Sequence, residues 1–495
     1  MTVLAIDAGT TGVTALVVTA DGAITGRGYQ EFAQHFPEPG WVEHEPEEIW
    51  VATLASCRAA LVDAESAGAA APTAIGITNQ RETVVVWDAA TLRAPRRAIV
   101  WQDRRTAAIC AELEQAGHGP RVTELTGLRL DPYFSGTKLG WLSRHDKSTA
   151  DALRDGQLVW GTVDSYLIAR LTGGTRHVTD PSNASRTLLY DTFAGEWSGE
   201  LAEVLDAPGK PPEVVPSSGV IGETEPSEFL GLRLPIAGVA GDQQAALFGQ
   251  ACFGEGQTKC TYGTGSFILT NTGPTPVRSD AGLLTTVAWD LGDGLRYALE
   301  GAIFVTGAAV QWLRDGLGVI GAAAEIEGLA NTVPDSGGVV FVPALTGLGA
   351  PHWDPTARGT ILGITRGTTR AHLARATLEA IAYEVRDVVD VMVSEAGVEL
   401  PELSVDGGAS ANGLLCQIQA DQLGVPVRRP RITETTGLGA AFLAGLGTGV
   451  WSSTDELADT WQLDARFTPD PTVRGASGYQ DWRRAVQRAA GWIQD

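Results

Sequence analysis

The segment VLAIDAGTTGVTALVV, residues 3–18, determines how the fold begins. Residues 3–6 form an apolar run typical of a buried strand, and residues 15–18 form a second run after a turn rich in glycine and threonine. Asp21 and Gly22 then lead into a third apolar pair, and Asp-Gly between apolar runs is a strong hairpin signal. The chain therefore begins with strands that pair in an antiparallel way through tight turns.

The same arrangement recurs about half a chain later. Residues 258–262 form a strand pattern, Gly263-Thr264-Gly265 follows as a turn, and residues 267–269 continue as a strand. This recurrence predicts a duplicated architecture with a boundary near residues 246–256. A chain of 495 residues is also too long for one ordinary core, so two domains with a cleft between them are expected.

The rest of the chain mixes strand and helix patterns, which predicts an α/β fold. An amphipathic helix over residues 371–396 has apolar positions spaced by threes and fours and is ended by Gly397. The other predicted elements are strands at 74–78, 84–87 and 403–405 and helices at 105–113 and 414–423. The order strand, glycine turn, helix over residues 403–423 is favourable for binding phosphate.

Charge and cysteine usage exclude several classes of function. With 36 Lys and Arg against 59 Asp and Glu, the net charge of −23 argues against a surface for nucleic acid or anionic membrane. The five cysteines are odd in number and form no C-x-x-C pair, which disfavours a disulfide framework and a zinc site and favours a reducing cytoplasm. The amino terminus begins with a strand pattern and shows neither a basic n-region nor a cleavage-site signature, so no secretory signal is expected. The apolar stretch 437–451 is shorter than the ~20 residues that span a bilayer, so no membrane insertion is expected.

Three glycine turns that follow predicted strands are candidate phosphate loops. They lie at residues 9–12, 263–265 and 407–408, where glycine lets backbone N–H groups approach a phosphate closely. Each turn taken alone is also well explained as an ordinary turn. Their common position after a strand favours the phosphate interpretation.

Two aspartates are candidates for the chemistry of such a site. Asp7 ends the first strand, where a carboxylate can hold Mg²⁺ that bridges nucleotide phosphates, or can instead bond its own turn. Asp242 lies at the predicted start of a helix, where it could be an N-cap or a base for a hydroxyl proton. The helix dipole predicts that Asp242 stays ionised and is a weak base at neutral pH.

Arg81 and Glu82 are adjacent charges between two predicted strands. They are explained equally by a solvated hairpin corner and by a site in which a donor and an acceptor hold neighbouring hydroxyl groups. The sequence pattern leaves both interpretations open.

Taken in order, twelve segments resemble the FGGY family of carbohydrate kinases, most of all its members that act on glycerol. The segments are GWVEHEPEEIW, ITNQRET, AIVWQDRRTA, DPYFSGTKLGWL, GTVDSYLI, VTDPSNASRT, AGDQQAALFGQ, TYGTGSF, LEGAIFVTGAAVQWLRD, PALTGLGAPHWDPTARG, RATLEAIAY and DGGASAN. The resemblance implies two ribonuclease-H-like domains of the actin, Hsp70 and hexokinase type with a cleft between them. It places a polyol-binding domain at 1–250 and a nucleotide-binding domain at 251–495, and implies Mg²⁺-dependent phosphorylation of glycerol by ATP to sn-glycerol 3-phosphate.

The resemblance also assigns roles to single positions. It implies that Asp242 is the catalytic base and that Asp7 and Asp242 are the metal residues. The implied substrate residues are Arg81, Glu82, Trp101, Tyr133, Asp242, Gln243 and Phe267. The implied nucleotide residues are Thr10, Thr11, Gly12, Thr264, Gly307, Gln311, Gly408 and Asn412, the last four near ribose and adenine.

Two departures from the family pattern carry expectations of their own. Thr11 is followed by Gly12, Val13 and Thr14, whereas the family commonly continues with Ser-x-Arg, so weaker nucleotide binding or a substituted contact is expected. Residues 224–231 read TEPSEFLG, without the glycine-lysine loop or the histidine that serve regulation in some relatives. Inhibition by fructose 1,6-bisphosphate and activation by phosphohistidine are therefore not expected.

Two alternatives to a glycerol-specific enzyme stay open. One is a kinase of another small polyol or a ketose, as other family members are. The other is a nucleotide-gated clamp without phosphoryl transfer, which the same fold can also make. The resemblance further suggests a homo-oligomer, either a dimer or a tetramer.

Overall fold

The computed structural model describes residues 1–472 and 477–493. The strands, in chain order, are β1 (Thr2–Ala8), β2 (Gly12–Thr19), β3 (Ile24–Glu31), β4 (Gln34–His35), β5 (Glu43–His44), β6 (Ala74–Asn79), β7 (Val85–Asp88), β8 (Ala98–Ile99), β9 (Leu158–Gly161), β10 (Val178–Thr179), β11 (Tyr190–Asp191), β12 (Glu196–Trp197), β13 (Glu213–Val214), β14 (Ser218–Glu223), β15 (Pro235–Gly241), β16 (Thr258–Tyr262), β17 (Ser266–Gly273), β18 (Leu284–Asp290), β19 (Leu295–Ile303), β20 (Val340–Val342), β21 (Thr360–Leu362), β22 (Leu403–Asp406), β23 (Val427–Pro430) and β24 (Leu463–Phe467).

The helices, in chain order, are α1 (Pro46–Ser66), α2 (Ala107–Gln115), α3 (Gly119–Thr126), α4 (Ser135–His145), α5 (Lys147–Arg154), α6 (Val163–Leu171), α7 (Pro181–Ala184), α8 (Gly199–Val204), α9 (Asp242–Gly249), α10 (Gly307–Asp315), α11 (Glu325–Ala330), α12 (Arg370–Ala396), α13 (Gly413–Leu423), α14 (Thr435–Gly447), α15 (Thr454–Thr460) and α16 (Ser477–Ala489). A 3₁₀ turn covers Gly408–Ala411.

The first large sheet grows outward from β1. The predicted hairpins are present, because β1, β2 and β3 pair antiparallel in sequence order and Gly22 turns the chain with φ +78°. On the other side of β1, strands β6 and β15 add in parallel, and β14 closes the edge antiparallel to β15. The order in this sheet is therefore β14-β15-β6-β1-β2-β3.

The second large sheet repeats this plan. Strands β16, β17 and β19 pair antiparallel, while β22 and then β23 add in parallel on the other side of β16. Its order is β18-β19-β17-β16-β22-β23-β24. The predicted duplication is confirmed, since both sheets consist of an antiparallel meander of three strands extended by parallel strands beside the first one. This is the predicted α/β fold with two ribonuclease-H-like halves.

Helices cover both sheets and bury their apolar faces against them. Helix α1 lies on β2 and β3, and glycine is required where β3 passes beneath it: a Cβ on Gly28 would lie 2.0 Å from the Ser56 carbonyl oxygen. In the second half, α12 buries Leu378, Ile381 and Val385 and ends at Gly397 with φ +64°. The helix predicted over residues 371–396 is thus confirmed to within one residue at its start.

Helix α14 connects the two halves of the chain. It follows the second sheet in sequence but packs on β1, β6 and β15 of the first sheet and on α9. The approach is close, since a Cβ on Gly439 would lie 1.8 Å from the Ala245 carbonyl oxygen. The apolar stretch 437–451 is therefore largely a buried helix, and no helix within residues 1–472 and 477–493 is long and apolar enough to cross a membrane. The domain division at residue 250 stays a prediction.

Candidate active site

Three neighbouring strands bring the predicted polar residues to one edge of the first sheet. Asp7 on β1 and Ala240 on β15 both pair in parallel with Thr78 of β6. The carboxyl ends of these strands therefore meet at the same edge, where open α/β sheets bind their ligands. Arg81 follows β6, and Asp242 follows β15.

Asp7 and Asp242 interact electrostatically at this edge. Burial raises the pKa of Asp7 to about 7, and the negative charge of Asp242 adds to the rise. Asp242 is the first residue of α9, and its Oδ1 accepts a hydrogen bond of 2.7 Å from the N–H of Gln243. The N-cap is Gly241, so the capping role considered for Asp242 is wrong.

The ionisation expected for Asp242 also needs correction. Its pKa is raised, because burial outweighs the opposing charges of Arg81 and Lys259. The helix dipole predicted the opposite direction, but desolvation of the carboxylate in the cleft dominates. Asp242 is therefore a stronger base than the sequence suggested, and its side chain still keeps 29% of its surface exposed.

Arg81 lies at the centre of the site. Its side chain is only 2% exposed, so the solvated hairpin corner is wrong for this residue. Its Nη1 and Nη2 donate to the two carboxylate oxygens of Glu300 at 2.5 and 3.1 Å. Its Nε lies 3.1 Å from Oδ1 of Asp242, and Nη2 lies 3.4 Å from the hydroxyl of Tyr133. One guanidinium thus connects the predicted base to the predicted substrate residues.

Glu82 is equally buried and has a strained backbone. Its φ of +63° is in the left-handed region, which costs a non-glycine residue on the order of 1–3 kcal/mol. The hydroxyl of Ser135 donates to the Glu82 carbonyl at 3.0 Å, and Nε of Arg186 donates to its carboxylate at 2.7 Å. Burial raises the pKa of Glu82 against the lowering charges of Arg81 and Arg186.

Sequence reasoning missed Arg186 and Glu300, whose side chains are both 0% exposed. Burial raises the pKa of Glu300, but the charges of Arg186 and Arg81 outweigh burial and bring it to about 2. A usable signal existed for Glu300, which interrupts the apolar run of β19, where an unpaired charge would be costly. Arg186 follows the short helix α7, whose polar sequence gives no sign that it is buried.

Lys259 was missed as well. This fully buried residue of β16 donates from Nζ to Oε1 of Gln243 and, at 2.9 Å, to the hydroxyl of Thr261. Burial lowers the pKa of Lys259, while Asp406 and Asp242 oppose the change. The side chain thereby fixes which way the amide of Gln243, a predicted substrate residue, is turned.

The predicted aromatic walls lie beside this polar cluster. Nε1 of Trp101 donates to the hydroxyl of Thr10 at 2.9 Å, and the Trp101 ring stands edge-on to Tyr133 with centroids 5.5 Å apart. The ring of Phe267, which comes from the second sheet, lies 6.0 Å from the Arg81 guanidinium carbon. Trp101 therefore joins Tyr133, a predicted polyol residue, to Thr10 in the turn after β1.

The two glycine turns of the second sheet also share one edge, because Thr261 of β16 pairs in parallel with Asp406 of β22. A cavity of about 430 Å³ opens there. Its walls combine apolar side chains with a few polar groups, as nucleotide sites do. Gly407 holds φ +81° and ψ 168°, and a Cβ there would lie 2.5 Å from the Tyr262 carbonyl oxygen.

The predicted nucleotide residues divide into two groups. Thr264, Gly307, Gln311, Gly408 and Asn412 all line this cavity. Thr10 and Thr11 lie instead in the β1–β2 turn of the first sheet, and Gly12 is the first residue of β2. The two groups come from the two halves of the fold, as expected for a nucleotide whose base and phosphates lie in different domains.

The predicted Mg²⁺ site can be compared with the side-chain donor atoms that the structure brings together. Residues 1–472 and 477–493 contain no group of three His, Cys, Asp or Glu side chains that could hold a metal by themselves. Asp7 and Asp242, at the same edge of the first sheet, nevertheless fit Mg²⁺, which typically takes one or two carboxylates and completes its shell with water and phosphate oxygens.

Two sheets of the same plan, a cavity of about 430 Å³ beside the second sheet and a buried polar cluster at the edge of the first are the features expected of a two-domain kinase. Residues 2–249 match the model of the FGGY family of carbohydrate kinases, N-terminal domain, and residues 258–448 match the C-terminal domain of the same family. The chain belongs to the FGGY family of carbohydrate kinases.

Named relatives are similar along the whole chain. A glycerol kinase of Trichlorobacter lovleyi is 56% identical and covers 99% of both chains, and one of Symbiobacterium thermophilum is 55% identical over 100% of this chain and 99% of its own. Among solved structures, a Plasmodium falciparum glycerol kinase with ADP has a TM-score of 0.92 at 34% identity, covering 100% of this chain and 99% of its own. A xylulose kinase from Rhodospirillum rubrum has a TM-score of 0.86 at 26% identity and covers 99% of both.

Proposed function

We propose that this chain transfers the γ-phosphate of ATP to a hydroxyl of glycerol, forming sn-glycerol 3-phosphate and ADP. The observation that carries the proposal is the gathering of Arg81, Glu82, Tyr133, Asp242 and Gln243 at one sheet edge in a chain 55–56% identical to proteins named glycerol kinase.

The polar groups suit a small molecule made mainly of hydroxyls. Each hydroxyl donates and accepts one or more hydrogen bonds, and the site offers the carboxylate of Glu82 as acceptor and the guanidinium of Arg81 as donor. Because both groups are buried, a substrate that left them unpaired would be rejected strongly. Trp101 and Phe267 bound the carbon chain and disfavour longer sugars.

Asp242 is the proposed general base. Its carboxylate is partly open to the cleft, and its raised pKa makes it a better proton acceptor than an ordinary surface aspartate. In phosphoryl transfer the proton can leave the hydroxyl late, so Asp242 also contributes by orienting the attacking oxygen.

The nucleotide is proposed to lie across the cleft. The 430 Å³ cavity receives the base and ribose, with Gln311 and Asn412 in its wall, while the turn at residues 9–12 meets the phosphates. Closure of the two domains would exclude water and align the hydroxyl with the γ-phosphate. Thr14 stands where the family pattern that the chain resembles has arginine, so weaker nucleotide binding or a substituted contact stays a prediction.

Asp7 and Asp242 are the residues that would hold Mg²⁺. The ion would supply charge neutralisation at the phosphates. The protein's own part is to bring both carboxylates to one edge of the sheet and to leave their remaining partners to water and phosphate.

A second candidate keeps the chemistry and changes the acceptor to another polyol or a ketose. It is supported by the similarity to a xylulose kinase at 26% identity over 99% of both chains. A homo-oligomeric state and a cytoplasmic location also stay proposals. Sedimentation measures the first, and fractionation of cells measures the second.

The test is an ADP-release assay with glycerol, erythritol and xylulose as acceptors. A kcat/KM for glycerol that exceeds the others by about 10²-fold or more supports the proposal. Higher kcat/KM for erythritol or xylulose selects the second candidate. ATP turnover that does not depend on any acceptor selects the non-catalytic clamp instead.

A further inference from the structure

A closed ring of four buried charges joins the two sheets beside the proposed polyol site. Glu300, in β19 of the second sheet, accepts from Nη1 and Nη2 of Arg81 at 2.5 and 3.1 Å and from Nη2 of Arg186 at 2.9 Å. Arg186 in turn donates from Nε to Glu82 at 2.7 Å, and Nε of Arg81 lies 3.8 Å from Glu82. The positive charges of the two arginines therefore balance the negative charges of the two glutamates.

The members of this ring divide into two kinds. Arg81 and Glu82 are proposed to contact the polyol. Arg186 and Glu300 are each 0% exposed and hydrogen-bond Glu82 and Arg81, so we assign them an indirect role through these two residues. The hydrogen bonds that Arg186 makes to the ring go to the two carboxylates, and its guanidinium carbon lies 5.6 Å from the centroid of the Tyr133 ring and 5.3 Å from that of Phe134.

We propose that Arg186 and Glu300 are positioning residues for polyol recognition: they fix the orientation of Arg81 and Glu82 and make polyol affinity depend on the contact between the two sheets. This inference rests on the proposed function of the same site.

The physical reason is preorganisation. Arginine has many side-chain rotamers, and a free Arg81 would lose that entropy each time a polyol binds. A carboxylate that accepts from both of its terminal nitrogens fixes the plane of the guanidinium before binding. Fixing a recognition group in advance lowers the free-energy cost of association.

The ring also explains why Glu82 keeps its left-handed backbone. Its carboxylate is held by Arg186, and its carbonyl accepts from Ser135. The contact with Arg186 orients the Glu82 carboxylate, and the contact with Ser135 holds its main-chain carbonyl. A change at Arg186 is therefore expected to alter the acceptor that faces the polyol, even though Arg186 itself does not touch it.

The experiment compares Glu300→Gln and Arg186→Lys with the full-length wild type. In Glu300→Gln, the amide places an N–H donor where a carboxylate oxygen had accepted from a guanidinium. Arg186→Lys keeps the positive charge but has only one nitrogen, which cannot bond the carboxylates of both Glu82 and Glu300 as the guanidinium does. For both variants the KM for glycerol is expected to rise about tenfold or more, the scale of one lost hydrogen bond to a charged group. The KM for ATP should stay within about twofold, and kcat should fall less than KM rises.

The matched control is Asp387→Asn. Asp387 lies on α12 and accepts from the hydroxyl of Tyr479 and Nε1 of Trp482 at 2.6 and 2.8 Å, away from the charge ring. This variant should lower Tm without changing the KM for glycerol. It separates loss of stability from loss of positioning.

An unchanged KM for glycerol in either folded variant overturns the inference, as does an equal rise in the KM of both substrates. If Glu300→Gln does not fold, Arg186→Lys decides the question. Wild-type protein that makes no glycerol 3-phosphate overturns the proposed function instead. In that case the KM values of the wild type and the two variants are compared for the acceptor that the wild-type protein does phosphorylate.

Discussion

Replacement of Asp242 by asparagine tests the charge of this carboxylate, because asparagine keeps its shape and removes the charge that would accept the proton and help to hold Mg²⁺. The amide oxygen can still accept from the N–H of Gln243, which Asp242 accepts at 2.7 Å. The proton acceptor, however, is lost. Loss of a general base lowers kcat by about 10²- to 10⁴-fold, which corresponds to roughly 3–5 kcal/mol of transition-state stabilisation.

The effect on glycerol binding should be much smaller. Arg81 loses its contact with Asp242 at 3.1 Å but keeps both contacts with Glu300. The lost ion pair is also partly screened by water, since the Asp242 side chain is 29% exposed. The KM for glycerol is therefore expected to change by less than about tenfold.

The assay is steady-state ADP release at saturating glycerol, with Tm measured on the same samples. Asp387→Asn serves as the control for removal of a carboxylate outside the site. If kcat of Asp242→Asn stayed within about twofold of wild type, Asp242 would not be the base, and the proposed mechanism would be refuted.

Three further predictions concern the metal, the nucleotide turn and the buried lysine. Asp7→Asn should raise the Tm of the Mg²⁺-free protein near pH 8, and this rise in Tm should become smaller as the pH falls toward 4. The reason is that a carboxylate whose pKa is raised to about 7 in the folded protein destabilises the fold when it is ionised and not when it is protonated. Calorimetry across this pH range tests the prediction, and a rise in Tm that grows on acidification would contradict it. Gly407→Ala should lower the free energy of unfolding in urea by about 1–3 kcal/mol and weaken ATP binding, because the backbone of Gly407, with φ +81° and ψ 168°, is in a region essentially restricted to glycine. An unchanged free energy of unfolding would mean that this turn relaxes to accept alanine. Lys259→Met should raise the KM for glycerol about tenfold by freeing the Gln243 amide to turn, whereas a KM equal to wild type would remove Lys259 from the site.

Much of the fold could be predicted because it is encoded in local patterns. Both hairpins with their glycine turns follow from short apolar runs, and α12 follows from its spacing and from Gly397. The recurrence at residues 258–269 correctly predicted a second sheet built like the first. By contrast, the packing of α14 on the first sheet depends on contacts between distant segments, which no local pattern encodes.

The site was predicted less completely than the fold. The resemblance supplied Arg81, Glu82 and Asp242, but sequence reasoning alone could not separate a buried pair from a solvated corner. Burial decides that question, and burial depends on Glu300, which lies 219 positions from Arg81 in the chain. The pKa of Asp242 was predicted in the wrong direction for the same reason, because the dipole of α9 is local and desolvation in the cleft is not.

The most direct test of the central claim is ³¹P NMR of the wild-type protein with ATP, Mg²⁺ and glycerol. The account predicts one glycerol 3-phosphate for each ADP formed, with little inorganic phosphate, because the cleft delivers the phosphoryl group to a hydroxyl held beside Asp242. Inorganic phosphate released at the same rate with and without glycerol would contradict it.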